Sequence, residues 1–120
     1  MVVCVVYNPY NGMSNIIRVS DDLPNASVYA KQIANKIAEH MKKEEHTNVK
    51  VKCGIPDYSM SDKPIYTLYR HIGNVFVPVA VGDDIKRLFE VTPYSKSIGI
   101  PALTTMVDTL EELLSLINNF

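Results

Sequence analysis

Two short stretches of the chain carry the residue types that could do chemistry. Asp83 and Asp84 follow Gly82 at the end of an apolar run, and Asp57 lies in a second polar stretch, 54–59. Carboxylate oxygens bind divalent cations and can also take up or release a proton. The three aspartates therefore predict a metal site, which would suit metal-assisted hydrolysis of a phosphate ester.

The stretch 54–59 also contains groups that could contact a bound ligand. Gly54 permits close approach of its backbone, Tyr58 offers a ring for stacking, and Ser59 offers a hydroxyl. The predicted ligand-binding residues are Gly54, Asp57, Tyr58, Ser59, Gly82, Asp83 and Asp84. The predicted metal ligands among them are Asp57, Asp83 and Asp84.

Both stretches also have a purely structural interpretation. An aspartate that precedes a helix commonly caps it, and an acid in the first turn is favoured by the helix dipole. The stretch 54–59 can equally be a surface turn that leads into a helix. The sequence leaves both interpretations of Gly82-Asp83-Asp84 open.

No catalytic motif accompanies these candidates. The sequence has neither a glycine-rich phosphate-binding motif nor the GxSxG pattern of a nucleophilic serine. His40, His46 and His71 match neither the spacing of a helical metal pair nor that of a catalytic triad. The sequence therefore establishes no reaction.

The composition is typical of one folded domain that covers residues 1–120. The chain has 47% hydrophobic and 21% charged residues, which excludes a disordered protein. Its formal net charge of −1 gives no general attraction to nucleic acid or anionic lipid. Lys50, Lys52, Lys86 and Lys96 form a mild basic excess that permits nucleic-acid binding without indicating it. No run reaches the roughly 20 apolar residues of a membrane-spanning helix, so no membrane partner is expected.

Cys4 and Cys53 both lie in predicted strands, and we interpret them as buried structural thiols. A disulfide between them requires the two strands to be neighbours, which the sequence does not decide. The first residues form a strand-like run without the basic and apolar segments of a secretory leader. We therefore expect a cytoplasmic protein.

Apolar runs and helical patterns alternate along the chain, which predicts an α/β fold. The four main predicted strands are Val2–Tyr7, Asn48–Cys53, Val75–Val81 and Ser97–Leu103. A fifth run, Ile16–Val19, forms a hairpin with the first strand or else follows a crossover loop, and we favour the hairpin. Lysines alternate along the second main strand, which favours an edge position for it. The pattern predicts a single domain with a mixed or mostly parallel sheet of four to five strands and helices on both faces.

Four helices are predicted from apolar residues that recur at helical spacing. They begin near Asp22 or Asn25, near Ser61 or Asp62, after Asp84 and after Asp108. The second helix ends at Ile72 and carries Tyr66 and Tyr69 on one side. These two tyrosines could form an aromatic patch that binds a partner.

The sequence favours protein association, because it combines a high apolar content with a candidate edge strand and lacks a catalytic motif. The first hypothesis is an interaction or regulatory module that forms a homo-oligomer, expected to be a homodimer, through the edge strand or the tyrosine-bearing helix. The second is a nucleotide or small-ligand binder at a cleft formed by the loops 8–14, 54–59, 82–84 and 101–105. The third is a nucleic-acid-binding protein.

Overall fold

The structure, a computed structural model, describes residues 1–59, 64–92 and 96–119. Within these residues the chain forms six strands and three helices. The strands are β1 (Val2–Tyr7), β2 (Ser14–Val19), β3 (Lys50–Cys53), β4 (Ile65–Ile72), β5 (Val75–Gly82) and β6 (Ser97–Val107). The helices are α1 (Ala26–Glu45), α2 (Ile85–Val91) and α3 (Leu110–Asn119).

The strands form one curled, half-barrel sheet in the order β3-β1-β2-β6-β4-β5. Only β2 and β6 run parallel, and the other four pairs are antiparallel. The predicted sheet of four to five mostly parallel strands is therefore wrong. It is wrong because two of the connections, β1 to β2 and β4 to β5, are hairpins, and a hairpin makes its strands antiparallel.

The helices lie on the outer, convex face of the sheet, so the prediction of helices on both faces is also wrong. On β1, Cys4 and Val6 point outward to a core formed with α1, while Val3 and Val5 point inward. Leu113 of α3 joins the same outer core, and Leu88 of α2 packs on β4 and β5. No helix in the described parts of the chain is long and apolar enough to cross a membrane.

The inner, concave face packs on itself because the sheet curls. Val5 of β1 shares one core with Tyr69 of β4 and Val81 of β5, although these strands are far apart in the sheet. The two edge strands consequently face each other, and the Lys52 Nζ of β3 donates to the Pro78 carbonyl of β5 at 3.2 Å. The predicted edge position of β3 is confirmed.

The helix predicted to end at Ile72 is wrong where the structure describes it. Residues 65–72 form β4, which lies between β6 and β5, while Ser61 and Asp62 lie outside the described residues. Tyr69 is fully buried on the concave face, and Tyr66 packs on the outer side against the α2 cluster. The tyrosine-bearing helix therefore cannot serve as an interface.

Cys4 and Cys53 form a disulfide between β1 and β3, so their interpretation as free thiols is wrong. The two residues are direct partners in the strand register, with a Cα–Cα distance of 4.0 Å. The next pair along these strands, Val3 and Gly54, is hydrogen-bonded from the Gly54 N–H to the Val3 carbonyl. The cysteines thus occupy the narrow, non-hydrogen-bonded type of pair, where side chains are closest.

Candidate functional site

The structure brings the stretches 57–59 and 82–84 next to each other. The Val81 N–H donates to the Pro56 carbonyl at 3.0 Å, and the Tyr58 N–H donates to the Val81 carbonyl at 2.9 Å. Asp57 is thereby bridged to the end of β5. Gly54 has a different setting, because it extends the pairing of β3 with β1.

Asp57 is occupied by an ion pair with Arg18 of β2. The Oδ2 atom of Asp57 accepts from the Arg18 Nε at 2.9 Å and from the Arg18 Nη2 at 2.7 Å. Its Oδ1 atom accepts from the Ser59 backbone N–H at 2.9 Å. The Arg18 and Asp57 side chains are only 5% and 11% exposed. The Asp57 carboxylate therefore joins the stretch 57–59 to β2.

Asp84 has the structural role that the sequence left open for it. Its carboxylate accepts from the backbone N–H groups of Lys86 and Arg87, at 3.1 and 3.2 Å, and so caps α2. Among residues 1–59, 64–92 and 96–119 no group of three His, Cys, Asp or Glu side chains could hold a metal ion. The metal site at Asp57, Asp83 and Asp84 stays a prediction, and the described residues give it no support.

Four hydroxyl groups line the concave face. The Ser14 Oγ and the Thr67 Oγ1 lie 3.2 Å apart. The buried Thr104 hydroxyl has no hydrogen-bond partner among the described residues, and the buried Tyr69 hydroxyl lies near the Ser14 and Thr67 hydroxyls without full hydrogen-bond geometry. Burial raises the pKa of Tyr69 to about 12, and the nearby Ser14 and Thr67 hydroxyls oppose this shift. Such a phenol stays protonated near neutral pH, so it cannot act there as a general base.

A groove lined entirely by described residues lies on the convex face. It has a volume of about 640 Å³ and runs between the C-terminal half of α1, at Ile37 and Met41, and the outward side of β6, at Pro101 and Leu103. Leu103 is 73% exposed, although β6 lies between β2 and β4 in the sheet. A central strand with its apolar side chains in solvent is the least expected feature of this fold.

The strand register explains why this part of β6 is open. β2 pairs with β6 only from Leu103 onward, because β2 begins at Ser14. Pro101 lies just before that pairing starts and has no N–H to leave unsatisfied. The first half of β6 is therefore paired with β4 alone, and the groove separates its outward side from α1.

The exposed apolar surface continues from the groove to α2. A Cβ on Gly99 would lie 2.6 Å from the Ile85 Cδ1, so α2 sits directly on β6 at this glycine. We call this surface the β6 face and define it by its exposed apolar side chains. They are Met13, Ile85, Phe89, Pro101 and Leu103.

Sequence reasoning missed both Arg18 and the β6 face. Arg18 is a single charge inside the apolar run Ile16–Val19, which is a usable signal for a buried ion pair. Leu103 carries no such signal, because an outward leucine in a strand looks the same in sequence as an inward one. Comparison with protein families, characterised proteins and solved structures finds no match.

Proposed function

We propose that this protein is an interaction module that binds another protein chain through the β6 face. The observation that carries the proposal is the exposure of Leu103 at the middle of the sheet. Contiguous exposed apolar surface on a folded domain marks binding sites. Covering one such leucine contributes about 1.5–3 kcal/mol, so a partner gains from contacting it.

The surroundings of the β6 face support this proposal. His40 and Glu44 of α1 line the groove and pair with each other at 3.1 Å, with about two thirds of each side chain exposed. An apolar centre with charged groups at its border is the usual anatomy of a protein interface. The border would keep its charges in water while the centre is covered.

The edge strands support association less well. On β5 the Phe76 N–H donates to the Pro9 carbonyl, and both backbone groups of Val81 are bonded to the stretch 56–58. Pro78 has no N–H, and its carbonyl accepts from Lys52. A strand of another chain would find few free groups on this edge. The β3 edge is only four residues long and carries two lysines, which also disfavours pairing.

The test places a photo-crosslinking residue at Met13 in the full chain expressed in cells. Met13 is 56% exposed at the border of the groove. We expect a covalent protein adduct that disappears when Leu103→Asp is added. Val28→Asp is the matched control, because Val28 is 55% exposed at the other end of α1, and it should leave the adduct unchanged. An adduct that survives Leu103→Asp, or no adduct at all, would contradict the proposal.

A cytoplasmic location belongs to the same proposal. The structure shows Cys4 and Cys53 as a disulfide, and the thiol-reducing systems of the cytosol oppose that bond, so a cytoplasmic location requires the disulfide to form only on oxidation. Rapid alkylation of intact cells, followed by electrophoresis without reductant, measures their state. Complete oxidation in unstressed cells would count against the cytoplasm.

A further inference from the structure

We infer that Cys53 is a modification site, at which the disulfide with Cys4 exchanges with a small thiol that carries carboxylates. The inference does not depend on the β6 face, because β1 and β2 separate β3, which carries Cys53, from β6. It follows from the unequal burial of the two cysteines, from a pocket at Cys53 and from the charge beside that pocket.

The two cysteines differ in their access to solvent. Cys4 has no exposed surface, because α1 covers β1 on that side. Cys53 is exposed, because β3 is an edge strand of the sheet. Thiol–disulfide exchange requires access to the sulfur that is attacked. An incoming thiol therefore meets Cys53 and not Cys4.

A pocket of about 490 Å³ opens at Cys53. It lies between the start of β1, the stretch 54–56 and the first half of α1, at Ser27 and Lys31. A pocket of this volume has the size of a small-molecule site. It can therefore hold a low-molecular-weight thiol beside the exposed cysteine.

Lys31 gives this pocket a positive charge. The residues three and four positions away from Lys31 on either side are uncharged, and no acidic side chain is among the described residues that line the pocket. Asp21 contacts the Met1 ammonium group, and Asp57, next in sequence to the pocket, is paired with Arg18. The Lys31 ammonium group therefore attracts carboxylates to the pocket and favours a thiolate there.

The exchange balances in atoms and electrons. The incoming thiolate attacks the Cys53 Sγ, so a bond forms between the incoming sulfur and Cys53 while the bond between Cys53 and Cys4 breaks. The electron pair of the broken bond goes to the Cys4 Sγ, which takes a proton from water because a charge is costly in the apolar core. The protonated Cys4 is a poor nucleophile, so the mixed disulfide persists until the reverse step releases the small thiol.

Mass spectrometry of the full oxidised chain, incubated with glutathione and quenched with acid, tests the site. We expect glutathione on Cys53 and a free thiol at Cys4. Cys4→Ser should form the same adduct with glutathione disulfide, and Cys53→Ser should form none while it stays folded. Glutathione on Cys4, an adduct that forms only in urea, or reduction to two thiols without any adduct on Cys53 would overturn the inference.

The choice of thiol is tested at Lys31. Lys31→Glu should react with glutathione at least about threefold more slowly, and with uncharged 2-mercaptoethanol at the wild-type rate. Lys43→Glu is the matched control, because Lys43 is exposed in the last turn of the same helix and outside the pocket, and it should keep both rates. An unchanged rate of Lys31→Glu with glutathione, or equal slowing with both thiols, would contradict the recognition of carboxylates and overturn the inference.

Discussion

The concave face of the sheet encloses a charged pair, whereas the convex face exposes an apolar side chain at β6. On the concave face a charged pair, Arg18 and Asp57, is enclosed and hydrogen-bonded. On the convex face an apolar residue, Leu103, is left in water. The concave face thus pairs its buried charges within the chain, whereas the convex face at β6 leaves an apolar side chain uncovered. The contrast indicates that the inner face stabilises the fold and that the outer face at β6 is available for binding.

The free energies support this division. Burial of a large concave-face side chain such as Tyr69 or Ile16 contributes about 1.5–3 kcal/mol to folding, and both are fully buried. Leu103 gains little of this in the isolated chain. Its contribution is realised only when another surface covers it.

The largest expected effect concerns the disulfide that joins β1 and β3. Cys53→Ser should lower the free energy of unfolding by about 4 kcal/mol, because the bond closes a loop with a sequence separation of 49. Urea unfolding of the oxidised wild type and of the variant measures the difference. The wild type with a thiol reductant is the control, and it should match the variant.

Equal unfolding free energies for the oxidised and reduced wild type would contradict this prediction. That result would mean that α1 and β1 alone hold β3 in place. The part of the sheet on which α1 packs would then be stable without the disulfide.

The second effect concerns the enclosed ion pair. Asp57→Asn should cost about 3 kcal/mol, because it leaves the Arg18 guanidinium buried without an anionic partner. The double variant Arg18→Met with Asp57→Asn should cost less than the sum of the two single changes. Asp22→Asn, at an exposed aspartate, is the control. Strict additivity in chemical denaturation would show that the pair is not coupled.

Local patterns predicted part of the fold correctly. The β1–β2 hairpin is confirmed by its antiparallel register, and α1 is confirmed at Ala26–Glu45. Both depend on neighbouring residues only, namely the turn between two apolar runs and one apolar face at helical spacing. Asp84 as a helix cap was also readable, because a cap is set by the next three residues.

β4 could not be recognised from the same rules. Its Ile65, Leu68, Tyr69 and Ile72 fit helical spacing, and burial on both faces removes the alternation that usually marks a strand. Gly73 followed by Asn74 fits a two-residue hairpin turn, and Gly73 has a φ of 59° between β4 and β5, but in sequence the same glycine also fits the end of a helix.

The contact between Arg18 and Asp57 depends on tertiary topology. The two residues are 39 positions apart and meet only because the sheet curls. The openness of β6 has the same origin, since it follows from where β2 begins relative to β6. Neither feature is set by neighbours in sequence, so neither could be predicted from local patterns.

The third effect concerns the buried phenol of Tyr69. Burial raises its pKa from 10.0 to about 12, so the folded state disfavours the phenolate. Below pH 10 the ionisation of Tyr69 does not affect the free energy of unfolding. As the pH rises from 10 to 12, ionisation of the phenol in the unfolded chain lowers that free energy. At pH 11 the loss is about 1.4 kcal/mol, and Tyr69→Phe should abolish it.

Denaturant unfolding at pH 8 and pH 11 checks this expectation. The remaining pH dependence of Tyr69→Phe should be small, although burial also raises the pKa of Tyr7. At pH 8 the variant should be nearly as stable as the wild type, because the Ser14 and Thr67 hydroxyls lie near the Tyr69 hydroxyl without full hydrogen-bond geometry. An unchanged loss at pH 11 in the variant would show that another group titrates.

The smallest effect on stability concerns Leu103, and it separates the two faces most directly. In the purified chain, without a partner, Leu103→Ala should change the free energy of unfolding by no more than about 0.5 kcal/mol. Leu113→Ala is the matched control, because Leu113 is a leucine with no exposed surface in the outer core. It should cost about 2–5 kcal/mol. A large loss for Leu103→Ala under these conditions would mean that Leu103 is covered within its own chain, and the contrast between the enclosed concave face and the open convex face at β6 would fail.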